Sequence, residues 1–587
     1  MTSPSTLPHH LGDNPRKLWT ELASKALKVD DLAPLNRVTE DGITIQPLYL
    51  AEDRPEVISD AASALSAQGW KMVQYVEPAQ DAATLNRAIL DELEGGASGI
   101  IFTADQDIAL IPQAMAGVYL DAISVELNAP QDPVASAKML TALWQDHNIA
   151  PDDADGAIGM DGMASPVLTK AEFDAAAYGV TLKAVMDIAQ DWPRLSVASV
   201  GGVKWHHLGL TPAQEMASTM AEVVMVLRHA ESQGIDLDQM VQSMRFGLVF
   251  DADLYQGLAK ARAFKTVLFK LLAAMGVSPD VQSRLAQQCH GITAERMLSR
   301  LDTDTNILRN GTAMLAASLS GFGHLTAMPH DWLTGSTEHG RRIARNMHHL
   351  LADEGQLGQV ADPAQGSYFM DHLAAELAEK SWQFFQEIES NGGIAEAWGK
   401  GLITAWADEA VKTRQSRLNK GEVASLGATL HPIKGADLSP VVEGTLGIRG
   451  GRNRSTEIWE DLYQRLKGRS LRCLLLDVGL PDGTSPHQGQ SASGQSAAPY
   501  SRWFAASGLD ATLMTAEDLA HGQSILSSAK PDVLILGGVL ANAMAEDPIL
   551  DDIKPRLTMV STPLSAADDD DYYQVMARIA DATEGAS

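Results

Sequence analysis

The strongest constraint on the fold is an alternation of short apolar runs and amphipathic stretches from residue 71 to residue 328. Strand-like runs separated by helix-like stretches are typical of parallel βαβ units. The eight apolar runs are Lys71–Val76, Ser98–Phe102, Ala122–Leu127, Gly156–Met160, Leu195–Val200, Met244–Phe250, Leu285–Cys289 and His324–Met328. The clearest helical stretches are Ala82–Glu94, Pro133–Asn148, Lys170–Asp191, Pro212–Gln233 and Leu254–Met275. Eight units favour a (β/α)8 barrel, and the pattern alone leaves an open doubly wound sheet as the alternative.

The rest of the chain divides around this repeat. A helix is predicted at Arg16–Leu27, and two more follow the repeat at Gly340–Glu354 and Leu373–Asn391. The stretch Gly427–Asn453 is rich in Gly and Pro and indicates a linker. Two further buried-type strands, Leu471–Leu476 and Asp532–Leu536, flank a low-complexity loop at Gln488–Ala498. We therefore expect an N-terminal arm and dimerisation segment (1–65), a barrel with C-terminal helices (66–425), a linker (426–465) and a second α/β domain (466–587).

Composition excludes several classes of function. A formal net charge of −30 disfavours binding to nucleic acid and to anionic membranes, both of which need clustered Lys and Arg. No run approaches the roughly 18 apolar residues that suggest a transmembrane helix, and the N-terminus lacks the apolar core of a signal peptide. The two cysteines, Cys289 and Cys473, are too few for a disulfide framework or a Cys-based metal site. A reducing cytoplasm is expected, with no metal site formed by this chain.

Four stretches carry a family resemblance. They are TEDGITIQPLY (Thr39–Tyr49), the Asn-x-Leu-Arg segment with its Gly-rich turn and PxD ending (Thr303–Asp331), GRRIARNMHHLLADEGQLGQVADPAQGSYFMDHL (Gly340–Leu373) and FQEIESNGGIAEAW (Phe385–Trp398). Together they resemble the methylmalonyl-CoA mutase family, and the third is a long pattern with fixed spacing. In that third stretch Arg341, Arg342 and Arg345 lie on adjoining helix faces. Ion pairs with acidic residues such as Asp353 and Glu354 are favoured over direct contact with CoA phosphates.

The resemblance implies a fold and a reaction. Family members combine a (β/α)8 TIM barrel with a flavodoxin-like, Rossmann-like cobalamin domain. They are isomerases of propionate metabolism that convert methylmalonyl-CoA and succinyl-CoA with adenosylcobalamin, which carries the radical chemistry. A catalytic chain then needs a carbonyl-facing His, an Arg for the substrate carboxylate and a cobalt-ligating His in an Asp-x-His-x-x-Gly loop.

The barrel lacks two of these groups. Aligned on Gly209, Lys204 stands where catalytic chains have the key His, and His206 falls in WHHLG, where small subunits carry YHNAG. His206 and His207 are weak candidates for a general acid, with a hydrogen-bonded core or rim position as the favoured reading. The stretch Val167–Trp192 contains no Arg for a bidentate carboxylate grip. The segment Gly69–Gln80 also lacks the arginines of catalytic chains.

The second domain lacks the third group. The degenerate cobalamin loop comprises Asp477, Gly479, Asp482, Gly483 and Thr484, and Thr484 stands where the cobalt ligand belongs. The nearest histidine, His487, follows Pro486, and no Asp-x-His-x-x-Gly occurs there. This chain is therefore expected not to bind the adenosylcobalamin of its complex.

These absences favour one hypothesis among three. The favoured one is a non-catalytic small subunit, inactive alone, that pairs with a catalytic large subunit in a heterodimer acting on acyl-CoA. The alternatives are an active acyl-CoA mutase that uses a cobalamin domain from another chain, and a binding or assembly protein.

Overall fold

The structure is a computed structural model that describes residues 14–55, 69–103, 106–431, 433, 438–442 and 453–466. Beyond residue 466 it describes the segments 473–478, 511–516, 519–529, 533–537 and 557–560 and a few isolated positions. The loop at Gln488–Ala498, together with Gly479, Asp482, Gly483 and Thr484, lies outside the described residues.

Eight parallel strands close into a barrel, so the open doubly wound alternative is wrong. A two-stranded antiparallel ribbon precedes them, formed by β1 (Arg37–Val38) and β2 (Thr44–Ile45). The barrel strands are β3 (Lys71–Val76), β4 (Gly99–Phe102), β5 (Ser124–Leu127), β6 (Asp155–Met160), β7 (Leu195–Gly201), β8 (Met244–Phe250), β9 (Cys289–Thr293) and β10 (His324–Thr326). Closure occurs where β10 pairs with β3 through His324–Lys71 and Leu325–Met72. This is the (β/α)8 architecture, whose sites form at the carboxyl ends of the strands.

Nineteen helices are described along the chain, and most of the long ones surround the barrel. Several begin at an aspartate whose side chain accepts a hydrogen bond from the first turn, as Asp81, Asp132 and Asp253 do. The helices are α1 (Pro15–Leu27), α2 (Ala82–Glu94), α3 (Ile111–Ala114), α4 (Pro133–Asp146), α5 (Ala164–Thr169), α6 (Ala175–Ala189), α7 (Val203–Leu208), α8 (Pro212–Ser232), α9 (Leu237–Gln242), α10 (Leu254–Ala274), α11 (Pro279–Gln282), α12 (Leu285–Gln288), α13 (Thr305–Leu319), α14 (Glu338–His349), α15 (Tyr368–Ser390), α16 (Ile394–Gly399), α17 (Leu402–Asn419), α18 (Glu457–Leu466) and α19 (Leu519–Ala529). None of the helices described here is long and apolar enough to cross a membrane.

Two predicted elements begin later than their sequence pattern indicated. The run Leu285–Cys289 was expected to be a strand, but Leu285–Gln288 forms α12 and the strand starts at Cys289. Leu, Ala and Gln are strong helix formers, which explains the short helical turn. Helix α6 starts at Ala175 because Asp174 caps its first turn by accepting from the Ala177 amide. Lys170 ends α5 in the left-handed conformation, with φ of 59°.

The strand pair β6 and β7 contains an irregularity that only glycine tolerates. Its register shifts between Ala157 and Met160. Gly159 lies inside the shift with φ of 67°, and an added Cβ would stand 2.0 Å from the Leu127 carbonyl oxygen. The shift thus lies just below the end of β6, next to the strand ends that form the candidate site.

Two arginines of α14 form ion pairs with the barrel, but their partner is one that the sequence did not indicate. Arg345 Nη1 lies 2.7 Å from Glu92 Oε2 and Arg341 Nε lies 3.1 Å from Glu92 Oε1. Glu92 belongs to α2, so the expected pairing with Asp353 and Glu354 is wrong for these two residues. Arg342 is exposed. The ion pairs tie α14 to the first helix of the barrel.

A separate parallel sheet follows the barrel in the chain. Its strands are β11 (Cys473–Val478), β12 (Ala511–Ala516), β13 (Val533–Gly537) and β14 (Leu557–Val560), in the order β12-β11-β13-β14. All three pairings are parallel. In the described residues, the predicted strands Leu471–Leu476 and Asp532–Leu536 overlap β11 and β13. Apart from the antiparallel ribbon of β1 and β2, the described sheets are parallel, and the fold class is α/β.

Candidate functional site

The candidate site lies where the barrel strands end. Asn128 follows β5, Asp161 follows β6, and Gly202 and Lys204 follow β7. Carboxyl ends of parallel barrel strands meet on one face, so these residues surround the mouth of the barrel. The turn after β7 positions Lys204, because Gly201 and Gly202 both have positive φ and start α7 directly above the strand.

Lys204 is held by two carboxylates. Its Nζ donates to Asp161 Oδ2 at 2.7 Å, and Glu222 Oε1 lies 2.9 Å away. Glu222 also accepts hydrogen bonds from the Trp205 indole at 3.0 Å and from the Gly201 amide at 2.6 Å. The lysine side chain is 4 % exposed and that of Glu222 is 1 % exposed. An ammonium fixed in this way is a structural cation and is not available as a proton donor.

The charges of this triad follow from its burial. Burial opposes charging of Lys204, but the charges of Asp161 and Glu222 outweigh it and hold the lysine pKa above its ordinary value. Burial, together with the nearby Asp161 charge, raises the pKa of Glu222 to about 7 despite the attraction of Lys204. The Lys204 position therefore carries a positive charge at neutral pH, whereas a histidine there would be able to release its proton.

A second cluster of ion-paired side chains lies inside the barrel, below the mouth. Arg245, on β8, has Nη2 3.6 Å from both Glu126 Oε1 and Asp155 Oδ1. Asp155 also pairs with Lys71 and, at 2.8 Å, with Arg194. Burial raises the pKa of Glu126 even though Arg245 pulls it down. Burial lowers the pKa of His290 to about 3, so this imidazole is neutral.

Between these groups lies a small chamber, which we call the barrel chamber. Its volume is about 90 Å³. The polar residues that line it are Tyr75, Glu126, Asn128, Asp161, Ser199, Lys204, Arg245 and His290. Ligand pockets for drug-sized molecules are typically about 300–1,000 Å³, so only a much smaller molecule fits this chamber.

A larger cavity of about 1420 Å³ lies on the flank of the barrel. It is bordered by the α5–α6 connection, α8 and α16, and its lining includes Lys170, Arg228 and Trp398. Lys204 and Leu168 line both cavities and therefore stand between them. Lys183, the other lysine of the stretch Val167–Trp192, pairs with Asp187 on the exposed side of α6.

Neither candidate histidine faces the barrel chamber. His206 is buried, its Nδ1 lies 3.3 Å from Glu215 Oε2, and its backbone oxygen accepts from Arg296 at 3.2 Å. Burial and the charges of Arg296 and Lys260 hold the pKa of His206 well below its ordinary value. His207 lines the flank cavity instead. The structure thus places His206 in the core and His207 at the flank cavity, and neither lines the barrel chamber.

Sequence reasoning missed the residues that shape the chamber. Arg245 interrupts an otherwise apolar run, MRFGLVF, and a charge inside a buried strand is the signal that could have identified it. Tyr75 and His290 gave no comparable signal, since both residue types are common in cores. Of the five residues of the predicted cobalamin loop, only Asp477 is described, as part of β11. In the described portion no group of three or more His, Cys, Asp or Glu side chains is arranged to hold a metal ion.

The fold and its charged mouth define a (β/α)8 barrel protein with a site at the strand ends, and comparison with known proteins specifies the family. The family model for methylmalonyl-CoA mutase matches residues 94–440, and the chain belongs to that family. It is 29 % identical to the methylmalonyl-CoA mutase small subunit of Streptomyces virginiae, over 74 % of this chain and 72 % of the relative. It is 26 % identical to the small subunit from Propionibacterium freudenreichii subsp. shermanii, over 73 % and 69 %. The methylmalonyl-CoA mutase of Escherichia coli is 25 % identical over 72 % and 65 %.

Proposed function

We propose that this chain is a non-catalytic small subunit of an adenosylcobalamin-dependent methylmalonyl-CoA mutase. It pairs in the cytoplasm with a catalytic large subunit that isomerises methylmalonyl-CoA and succinyl-CoA. The observation that carries the proposal is the barrel mouth. Lys204, fixed between Asp161 and Glu222, stands where the family resemblance places the catalytic histidine. The chamber beside it, at about 90 Å³, is far smaller than an ordinary ligand pocket of about 300–1,000 Å³ and has no room for a whole CoA thioester.

The cofactor side supports the same assignment. Residues 477–489 contain Thr484 where a cobalt-ligating histidine belongs. The four-stranded parallel sheet is compatible with a flavodoxin-like domain of cobalamin-binding type, and we include that domain in the proposal. Adenosylcobalamin would then be held by the catalytic partner, where it supplies the radical chemistry.

The N-terminal arm supports a heterodimer. No residue of α1 is buried within this chain. The face predicted to be apolar exposes Leu22 by 59 % and Leu27 by 52 %. Val29, Leu35 and Val38 of the same arm are exposed as well, and grouped apolar exposure of this kind, unlike single exposed residues, marks an interaction site. We assign that cover to the catalytic large subunit, consistent with the expected dimerisation role of residues 1–65.

The function is tested by purifying this chain alone and together with a family large subunit. We expect the isolated chain to show neither stoichiometric cobalamin absorbance nor methylmalonyl-CoA turnover, because it lacks the groups for both. Coexpression is expected to give a stable heterodimer with both properties. Turnover by the isolated chain would contradict the proposal. Turnover on adding only a separate cobalamin-binding chain would establish the alternative of an active mutase with a borrowed domain.

A second prediction concerns His206. Replacing it in the heterodimer, His206→Gln, is expected to change turnover by less than about twofold, because its imidazole contacts the buried Glu215 and the Arg296 bond to its backbone oxygen is kept. Loss of a general acid costs about 100-fold or more, so a fall of that size would contradict the assignment. His147→Gln, at an exposed histidine beyond α4, is the matched control.

A further inference from the structure

The N-terminal arm is anchored to the rest of the chain by the turn between β1 and β2, residues 39–42, which we call the arm turn. Glu40 Oε1 and Oε2 accept from Nε and Nη2 of Arg414 on α17, both at 2.7 Å. Asp41 Oδ1 accepts from the Ala213 amide, in the first turn of α8, at 3.2 Å. Two neighbouring carboxylates therefore join the arm to two helices that lie far from it in sequence.

These two carboxylates differ in how completely they are paired. Glu40 forms a bidentate pair with arginine, which is the strong kind of charge-assisted contact. Asp41 is 9 % exposed, and its Oδ2 is buried with no hydrogen-bond partner among the described residues. Burying an ionised carboxylate with an unsatisfied oxygen is costly, whereas a protonated carboxyl carries no charge. Ionisation of Asp41 therefore opposes docking of the arm turn.

The surrounding charges do not remove this cost. The charged side chains on the elements around the turn are Glu40 on the turn itself, Glu215 on α8, Lys260 on α10, Lys380 on α15 and Arg414 on α17. Lys260 favours the ionised form of Asp41, but it is also paired with Glu215 at 3.0 Å. Burial, together with the repulsion from Glu40, outweighs the attraction and raises the pKa of Asp41 to about 6.

We propose that the arm turn is a pH-sensitive latch that holds the N-terminal arm on the barrel firmly in mildly acidic solution and loosens at neutral pH. The sign follows from Asp41, whose pKa in the folded chain lies above the ordinary value of 3.8. Its contribution to docking is fully present below pH 3.8 and is lost as the pH rises through about 6.

Glu40 sets the acidic limit of the latch. Burial opposes its ionisation, but Arg414, helped by Arg296, outweighs burial and lowers the pKa of Glu40 to about 2. Its contribution is therefore fully present above the ordinary value of 4.5 and is lost as the pH falls through the folded pKa. Because the two carboxylates titrate in opposite senses, the latch is firmest at about pH 4.

The latch bears on α1, because α1 is attached to the arm. Arg16 of α1 pairs with Glu52 and Asp53 of the same arm, and no residue of α1 is buried. The state of the arm turn therefore affects how freely the exposed face of α1 meets a partner. This consequence alone rests on the proposed heterodimer, whereas the latch is a property of the single chain.

The test is hydrogen exchange of residues 37–45 in the full chain at pH 5 and pH 7.5, with each rate divided by the intrinsic rate at that pH. We expect the wild-type turn to open about tenfold more readily at pH 7.5. Asp41→Asn keeps the oxygen that accepts from Ala213 but cannot ionise. It is expected to exchange about tenfold more slowly than wild type at pH 7.5 and to lose the pH dependence. Asp30→Asn, at an exposed position of the arm, is the matched control and should behave like wild type.

A second variant probes the other half of the latch. Arg414→Lys keeps the charge but loses the bidentate contact with Glu40, so the turn should open about tenfold more readily at both pH values while the pH ratio is kept. Amides of α2 report on opening of the whole barrel in the same experiment. Asp41→Ser, an uncharged residue that can also cap α8, replaces Asp41→Asn if that variant fails to fold.

Four results would overturn the proposal. One is equal corrected exchange of the wild-type turn at the two pH values. Another is a pH ratio that survives in Asp41→Asn, which would assign the effect to a different group. A third is an equal change in the amides of α2, which would mean that the whole barrel responds. The last is unchanged exchange in Arg414→Lys, which would show that the Glu40 pair does not hold the arm.

Discussion

Replacing Glu460 with glutamine is expected to lower stability by about 3–5 kcal/mol, because it leaves buried cations without their counterion. Glu460 Oε1 and Oε2 accept from the two Nη atoms of Arg454 at 2.6 and 2.9 Å, and Oε2 accepts from Arg300 Nε at 2.6 Å. The carboxylate side chain is fully buried. Arg300 lies in the connection between β9 and α13. The carboxylate of Glu460 therefore links α18, in the last part of the predicted linker, to the barrel.

The measurement is hydrogen exchange of α18 together with urea unfolding of the whole chain. Faster exchange confined to residues 453–466 would show local release, while a lower urea midpoint would show loss of the whole fold. Glu457→Gln is the matched control, since this glutamate lies in the first turn of the same helix but is exposed. We expect the control to change stability by less than about 0.5 kcal/mol. Equal effects of the two variants would mean that the ion pair does not hold α18.

The pH dependence of this contact has a defined sign. Burial opposes ionisation of Glu460, but Arg454 and Arg300 outweigh it and lower its pKa below the ordinary value of 4.5. The unfolded chain therefore binds the proton more readily than the folded chain. The contribution of Glu460 is fully present above pH 4.5 and is lost as the pH falls through the lower folded pKa.

The sequence predicted the barrel well because its signals are local. Runs such as Lys71–Val76 and Met244–Phe250 match β3 and β8, and Ala82–Glu94 matches α2. Each element is encoded by its own periodicity and its own cap, which a single stretch of sequence contains. The prediction failed at Leu285–Cys289 because strong helix formers precede the strand there. The apolar run ended at Cys289, whereas the strand begins at Cys289 and contains the less apolar His290 and Gly291.

The candidate site was predictable only in part, because its contacts join residues far apart in the chain. Lys204 was identified from its position relative to Gly209, but its partners Asp161 and Glu222 follow from the barrel geometry alone. The same holds for Glu92, on α2, as the partner of Arg345 on α14. An ion pair between residues so far apart in the chain produces no recognisable spacing pattern in the sequence. The assignment to Asp353 and Glu354 therefore relied only on their proximity along the chain.

Replacing Lys204 with methionine is expected to be the most destabilising change at the barrel mouth. It removes the ammonium from a site where Glu222 is 1 % exposed and Asp161 is 14 % exposed, leaving two carboxylates facing each other. Breaking a buried pair by removing one partner costs about 3–5 kcal/mol. Urea unfolding measures the loss. Lys183→Met, which breaks the exposed pair with Asp187 on α6, is the matched control and should cost less than about 1 kcal/mol.

The loss in Lys204→Met should grow as the pH rises. In the wild type the folded pKa of Glu222 is about 7, above its ordinary value of 4.5, so the folded chain binds more protons than the unfolded chain between these values. Stability from this group therefore declines as the pH rises through that window. Removing the ammonium raises the pKa of Glu222 further, because Lys204 no longer stabilises its charged form. The decline of stability with pH then extends to higher pH. At low pH Glu222 is protonated and uncharged, so the missing cation costs little. The variant should thus be closer to wild type at pH 6 than at pH 8. A deficit that is the same at both values would mean that Lys204 acts through packing against Trp205 and not through its charge.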